Sequence, residues 1–293
     1  MGDLITLRKQ DLRCELAPAL GGSLTGLWWG DVPVLRETPV AQMGSALESA
    51  CYPLVPYSNR IGHAQLQWAG QRYRLNKNFP PEPHAIHGTG WESAWSVGSV
   101  DSASVTLTLD HTPNASWPFA FRATQTLRLE DDALHMQISI TNTHDALVPA
   151  GLGWHPYFAK RRGARIAFAA TGRWAMGPDN LPLGLEAHTG LDQDLAALSV
   201  DHCFENWNGV LAWSDPLLNV QVHSDLRRLV VFTRPALDCI AIEPVSHANN
   251  AFNRMADRPA PADTLGVQSL SPMQTFSAHM RIAVQPNRTV LKG

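Results

Sequence analysis

From Ala133 to Ile140 apolar and polar residues alternate without a break: Leu134, Met136, Ile138 and Ile140 fall on one side, His135, Gln137 and Ser139 on the other. A period of two marks an extended chain with one face in a core, because successive side chains on a strand point to opposite sides. The same alternation runs through Val105–Leu109. Gln125–Leu129, Arg165–Ala169, Leu229–Thr233, Cys239–Ile242 and Met280–Val284 are further candidate strands. Turn-forming clusters separate them, among them Glu130-Asp131-Asp132, Asn142-Thr143-His144-Asp145 and Gly177-Pro178-Asp179-Asn180,. No window of about 11 residues keeps a helical period; one or two short helical turns, for example near Leu191–Leu198, are the most that is expected. Many short strands punctuated by turns predict an all-β fold, a large antiparallel β-sandwich or barrel. No repeat, low-complexity tract or linker divides the chain, so residues 1–293 are read as a single domain.

Charge narrows the function. Only 17% of the 293 residues are charged, and the formal net charge is −3, which argues against a nucleic-acid partner, since phosphate binding needs a clustered basic surface. The densest basic stretch, Lys160, Arg161, Arg162 and Arg165, reads as a solvated loop. No apolar run reaches the ~20 residues of a membrane span. The start, Met1-Gly2-Asp3-Leu4, lacks a signal pattern, so a cytoplasmic protein is expected. Cys14, Cys51, Cys203 and Cys239 share no metal or redox spacing and are read as reduced packing residues,.

Five clusters are more polar than their surroundings. Asn59-Arg60-Ile61-Gly62 could clamp hydroxyl or carboxylate groups, or be a turn with a surface arginine. Pro83-His84-Ala85-Ile86-His87-Gly88-Thr89-Gly90-Trp91 holds two histidines three apart. On a strand they face opposite ways, which disfavours a chelating pair. One working histidine, with Gly88 and Gly90 admitting a ligand, is one reading; a hydrogen-bonded loop histidine is the other. In Gly153-Trp154-His155-Pro156-Tyr157-Phe158 the proline confines His155 to an extended backbone, and its aromatic neighbours would set its tautomer and pKa; a satisfied core histidine is the alternative. Asp201-His202 alternate faces, leaving Asp201 as a hydroxyl acceptor or a turn cap. Glu243 sits where an apolar strand meets Pro244, at the expected sheet end facing a cleft. A carboxylate there is costly unless paired or working. Trp154 and Trp91, among the ten tryptophans, could wall a ligand site or fill core.

Taken in order, Asn59-Arg60-Ile61, Ile86-His87-Gly88, His155-Pro156-Tyr157-Phe158, Asp201-His202 and Ile242-Glu243-Pro244 resemble the aldose 1-epimerase (galactose mutarotase) family, in its shorter bacterial branch. The likeness runs from Pro18-Ala19-Leu20-Gly21-Gly22 to Leu270-Ser271-Pro272-Met273-Gln274. It implies a β-supersandwich and an isomerase that opens and recloses a free aldose. Glu243 would be the general base, His155 the general acid and His87 a second histidine at the ring oxygen. Asn59, Arg60 and Asp201 would bind hydroxyls, with no metal and no cofactor. The partner would be a small-molecule sugar, not nucleic acid or membrane, and the protein a monomer or homodimer. Trp154 stands where the family usually has asparagine, and Thr89 where the histidine loop usually continues with glycine; both put the sugar's identity in question. Three other functions compete: a hexose-6-phosphate 1-epimerase drawing on Arg72, Arg74 and Lys77, a non-catalytic carbohydrate-binding protein, and a metal-dependent isomerase using His84, His87 and His155.

Overall fold

The computed structural model of the chain describes residues 4–257 and 265–287; Met1, Gly2 and Asp3 of the N-terminal reading lie outside them. Among these residues the strands gather into two large antiparallel sheets. Nine strands form the first, in the order Ser96–Val100, Ser104–His111, Phe121–Leu129, Ala133–Asn142, Thr275–Pro286, Leu218–Ser224, Val210–Ser214, Arg165–Ala169 and Gly190–Asp194. The second has eight: Pro182–Ala187, Gly172–Met176, Val200–Glu205, Arg228–Thr233, Cys239–Val245, Gly153–Trp154 and Pro53–Leu54 in sequence, with Tyr157–Ala159 also paired to Cys239–Val245. Ile5–Lys9, Leu12–Ala17, Ser23–Trp29 and Val32–Pro33 make a smaller sheet.

The alternation read in the sequence is carried out in full at Ala133–Asn142, where Leu134, Met136, Ile138 and Ile140 are buried and Gln137 is exposed. Each of the other candidate strands is found, mostly longer by a few residues. Leu191–Leu198 is a correction. Its first half is the strand Gly190–Asp194, paired with Arg165–Ala169 so that Leu191 lies opposite Phe168. Ladder pairing and burial of Leu191 outweigh a local helical pattern too short to nucleate. The α-helix of the described residues is Ala251–Asp257. In the basic stretch Arg162 and Arg165 are exposed as expected, but Arg165 opens a strand, where it pairs on the surface with Asp192 at 2.8 Å and Asp194 at 3.1 Å, and Arg161 is half-buried against Asp215.

The two large sheets share a core. Phe204 of the eight-stranded sheet meets Phe168 of the other edge-on at 4.9 Å, and Phe158 meets Trp213 at 6.4 Å. One continuous apolar cluster extends from Leu7 to Val284 and takes in all four cysteines but Cys239, which is itself buried; all four are free thiols. Because Phe204 and Phe158 face the partner sheet, their strand neighbours Glu205, Cys203 and Tyr157 face the other way. On that outer face the register sets side chains in rows. Tyr157, Ala241, Phe232 and Asp201 lie abreast, followed by Glu243, Val230 and Cys203, and then by Arg228 beside Glu205. Among the described residues no helix is long and apolar enough to cross a membrane.

Candidate active site

Glu243 does not end its strand. Pro244 continues the pairing opposite Leu229 and Val245 follows, so the carboxyl sits mid-sheet, 2% exposed, rather than at the sheet edge. Its Oε1 lies 3.1 Å from Nε2 of His155, itself 6% exposed, while Oε2 is buried with no hydrogen-bond partner among the described residues. His155 occupies the step between Gly153–Trp154 and Tyr157–Ala159, and its backbone N–H donates to the Tyr52 carbonyl at 3.0 Å. Its ring lies against Tyr52 (4.7 Å, 22°) and Tyr157 (4.5 Å, 37°), with His87 edge-on at 5.2 Å. Gly153 lets this strand approach: a Cβ there would stand 2.7 Å from the Pro244 carbonyl oxygen.

His87 is fixed by backbone. It adopts φ +61° and exchanges two hydrogen bonds with Asn59: its N–H donates to the Asn59 carbonyl at 2.9 Å, and the Asn59 N–H donates to His87 Nδ1 at 3.1 Å. With Nδ1 accepting, a neutral ring must carry its proton on Nε2. Burial, aided by the Arg60 charge, pushes the His87 pKa down to about 3, so it is a neutral N–H donor. Gly88 follows at φ +71°, and a Cβ on it would lie 2.3 Å from the Val55 carbonyl oxygen; one on Gly90 would lie 2.4 Å from a Val55 methyl. These glycines therefore admit the Val55 segment of the chain, not a ligand, which corrects their expected role. Gly88→Ala should cost about 1–3 kcal/mol of stability, read as a lowered thermal midpoint; an unchanged midpoint would contradict the close approach.

Arg60 projects from the two-residue strand Arg60–Ile61. Its Nε and Nη2 donate to Glu82 at 3.3 and 2.8 Å and Nη1 to the Asn59 side-chain oxygen at 3.3 Å. Asp201 faces the same cavity from Val200–Glu205, with Arg234 3.7 Å away, while His202 on the opposite parity turns to the Trp174 carbonyl. Together Asn59, Arg60, His87, His155, Asp201 and Glu243 border one cavity of about 180 Å³, completed by Leu47, Tyr52, Phe79, Ile86, Tyr157, Val230 and Phe232.

Trp154 and Trp91 are not among these residues. Trp154 is fully buried and Trp91 is 5% exposed, packed beside Tyr52. Both fill core: each belongs to the continuous apolar cluster, and the Trp91 turn is drawn onto Val55, whose carbonyl accepts the Gly90 N–H at 2.9 Å. The aromatic walls are instead Tyr52, Tyr157, Phe79 and Phe232, which are dispersed in sequence. Of the residues missed, Tyr157 lay inside a quoted motif, but Glu82 within Pro80-Pro81-Glu82-Pro83 carries no local signal at all. His84 is buried away from the cavity, its Nδ1 accepting from the His63 N–H and its Nε2 meeting the Asp179 carbonyl. Among the described residues no three His, Cys, Asp or Glu side chains are grouped to hold a metal ion.

Burial governs the electrostatics. Desolvation, then the Asp201 charge, pushes the Glu243 carboxyl well above its ordinary value, against the Arg60 charge. Desolvation, then the neighbouring His87, pushes His155 well below its own. Either charge alone is expensive here, so the pair holds one proton between two groups 3.1 Å apart. Carboxylic acid with imidazole and carboxylate with imidazolium are then two arrangements of the same proton. A larger depression of about 580 Å³ on the outer face of the nine-stranded sheet, lined by Arg128, His135, His279 and Arg281, has no such buried pair. Its charges are matched at the rim by Glu130, Asp225 and Asp132.

The fold built by these sheets matches that of galactose mutarotase-like proteins. The crystal structure of an Escherichia coli K12 protein provisionally assigned as an aldose 1-epimerase superimposes with a TM-score of 0.87 at 26% identity, over 97% of this chain and 99% of that one. Galactose 1-epimerase from Lactobacillus acidophilus NCFM shares the fold with a TM-score of 0.75 at 13% identity, over 98% and 99%. The uncharacterised Escherichia coli K12 protein YphB is 27% identical over 96% of this chain and 99% of its own length. The aldose 1-epimerase family model matches residues 3–283. The chain belongs to the aldose 1-epimerase family.

Proposed function

We propose that this protein interconverts the α and β anomers of a free aldose by opening and reclosing the ring. The observation that carries this is the 3.1 Å contact between the buried Glu243 carboxyl and the His155 imidazole. In a cyclic aldose O1 and O5 are bonded to the same carbon, so a base for one and an acid for the other must stand side by side. Glu243 takes the proton from O1; the O1–H electron pair becomes the second C1–O1 bond as the C1–O5 pair withdraws to O5, which receives a proton from His155. Acting together, the two groups avoid both an alkoxide and an oxonium ion. Rotation about C1–C2 presents the other face of the aldehyde, and the steps run in reverse. His87 supports O5 as a neutral donor, while Asn59, Arg60 and Asp201 hold hydroxyls so that only C1 turns.

A binding protein would have no use for the buried pair. A 6-phosphate substrate would need a cation in the cavity that is not already paired, yet Arg60 is paired with Glu82, and Arg72, Arg74 and Lys77 line a different depression. Polarimetry on freshly dissolved α-glucose and α-galactose tests the reading: catalysed mutarotation of at least one aldose is expected, and none across a panel of aldoses would refute it.

The pH dependence follows from the shared proton. Gaining a second proton removes the base, and burial of the resulting net cation sets that limb below the ordinary imidazole value of 6.5. Losing the proton removes the acid, and burial of the net anion sets that limb above the ordinary carboxyl value of 4.5. The kcat/KM profile should therefore be a bell with its acid limb below pH 6.5. An acid limb at or above that value would contradict the assignment.

A further inference from the structure

We propose that Glu82 is a specificity-determining residue: by pairing with Arg60 it keeps the cavity for neutral aldoses and excludes sugars that carry a carboxylate or phosphate. The inference rests on the sugar-site reading above. Glu82 is not a surface partner of convenience. Its side chain is 18% exposed and that of Arg60 15%, and two guanidinium nitrogens meet its two oxygens. The Asn59 side chain takes a third nitrogen, and the Asn249 side chain accepts the Arg60 backbone N–H at 3.2 Å, so the arginine is held in one place.

The remaining charges around the cavity are matched in the same way. Asp201 has Arg234 at 3.7 Å, and Glu243 shares a proton with His155. His87 is neutral. Arg36, which lies behind the Tyr157 ring at 3.9 Å, is committed to the Leu47 carbonyl at 2.9 Å and the Ser49 carbonyl. An anionic sugar would thus meet at Arg60 a guanidinium already neutralised by Glu82, and across the cavity the Asp201 carboxylate, so its charge would enter unmatched,. A neutral hydroxyl needs only the N–H groups that Arg60 still points away from Glu82. With the Glu82 charge removed, the Arg60 fork becomes a full cation suited to a carboxylate or phosphate.

The test compares galactose with galacturonate and glucose with glucose 6-phosphate, by NMR exchange, in the wild type, Glu82→Gln and Glu82→Asp. Glu82→Gln should raise the kcat/KM ratio of anionic to neutral sugar by at least about tenfold, chiefly through KM. Glu82→Asp, which keeps the charge, should retain the wild-type ratio. An unchanged ratio in Glu82→Gln, whether both activities persist or fall together, would overturn the proposal. Glu82→Ala replaces the amide variant if that fails to fold. Saturation-transfer NMR of galacturonate with the same proteins reads binding without turnover. Galacturonate binding gained in Glu82→Gln supports the role of Glu82 even if no aldose were epimerised, so the two readings fail separately.

Discussion

Glu243→Gln should lower kcat for anomer interconversion by about a hundred- to ten-thousand-fold, the range over which a positioned base contributes. Glutamine has nearly the same shape, and its amide N–H can donate to His155 Nε2 where the carboxyl now stands at 3.1 Å. The buried site therefore stays filled and satisfied, and the loss reports chemistry rather than unfolding. What disappears is the group able to accept the O1 proton. His155→Asn should cost a similar factor by removing the donor to O5. Because the two share one proton, the double variant should be little slower than either single one, as is usual for residues that act as a unit. Polarimetry with circular dichroism as a folding control measures all three. A folded Glu243→Gln protein at the wild-type rate would remove the carboxyl from the mechanism.

The largest effect on stability is expected one row below Glu243. Arg228 and Glu205, with side chains 8% and 7% exposed, form an ion pair at 2.6 Å; Glu205 also accepts from Trp174 Nε1 at 2.8 Å, and Arg228 donates to the Ser246 carbonyl at 2.9 Å. Arg228→Met would leave a buried carboxylate without its cation, at a cost of about 3–5 kcal/mol. Replacing both residues, Arg228→Met with Glu205→Leu, should recover much of that loss, since the penalty comes from the stranded charge more than from the missing attraction. Urea denaturation of the single and double variants decides it. A single variant within about 1 kcal/mol of wild type would show that Glu205 finds relief elsewhere.

Much of this was legible in the sequence, for reasons particular to a sandwich. Strands with one face in a core announce themselves by alternation, as at Ala133–Asn142, and parity along them already separated Asp201 from His202. Pro156 gave the extended backbone of His155. Other features depended on partners far along the chain. Pro244 reads locally as a strand terminus, yet Arg228–Thr233 and Gly153–Trp154 hold it inside the sheet. Tryptophan content could not say which rings would face a ligand, and Trp154 and Trp91 went to the core. Gly88 and Gly90 correctly marked a close approach, but the group that approaches is Val55. Glu82 could be recognised only once Arg60 had been placed against it.

The cavity draws its parts from two sources. Glu243, Asp201 and Phe232 stand on strands whose register is fixed by neighbours on both sides, and His155 is held in the step between two more. Arg60, His87 and Phe79 come from the short strands and loops between residues 59 and 87 that close over them, where Glu82 pairs with Arg60. Insertions or exchanges in that covering segment can reshape what the pocket accepts without moving a single ladder beneath it.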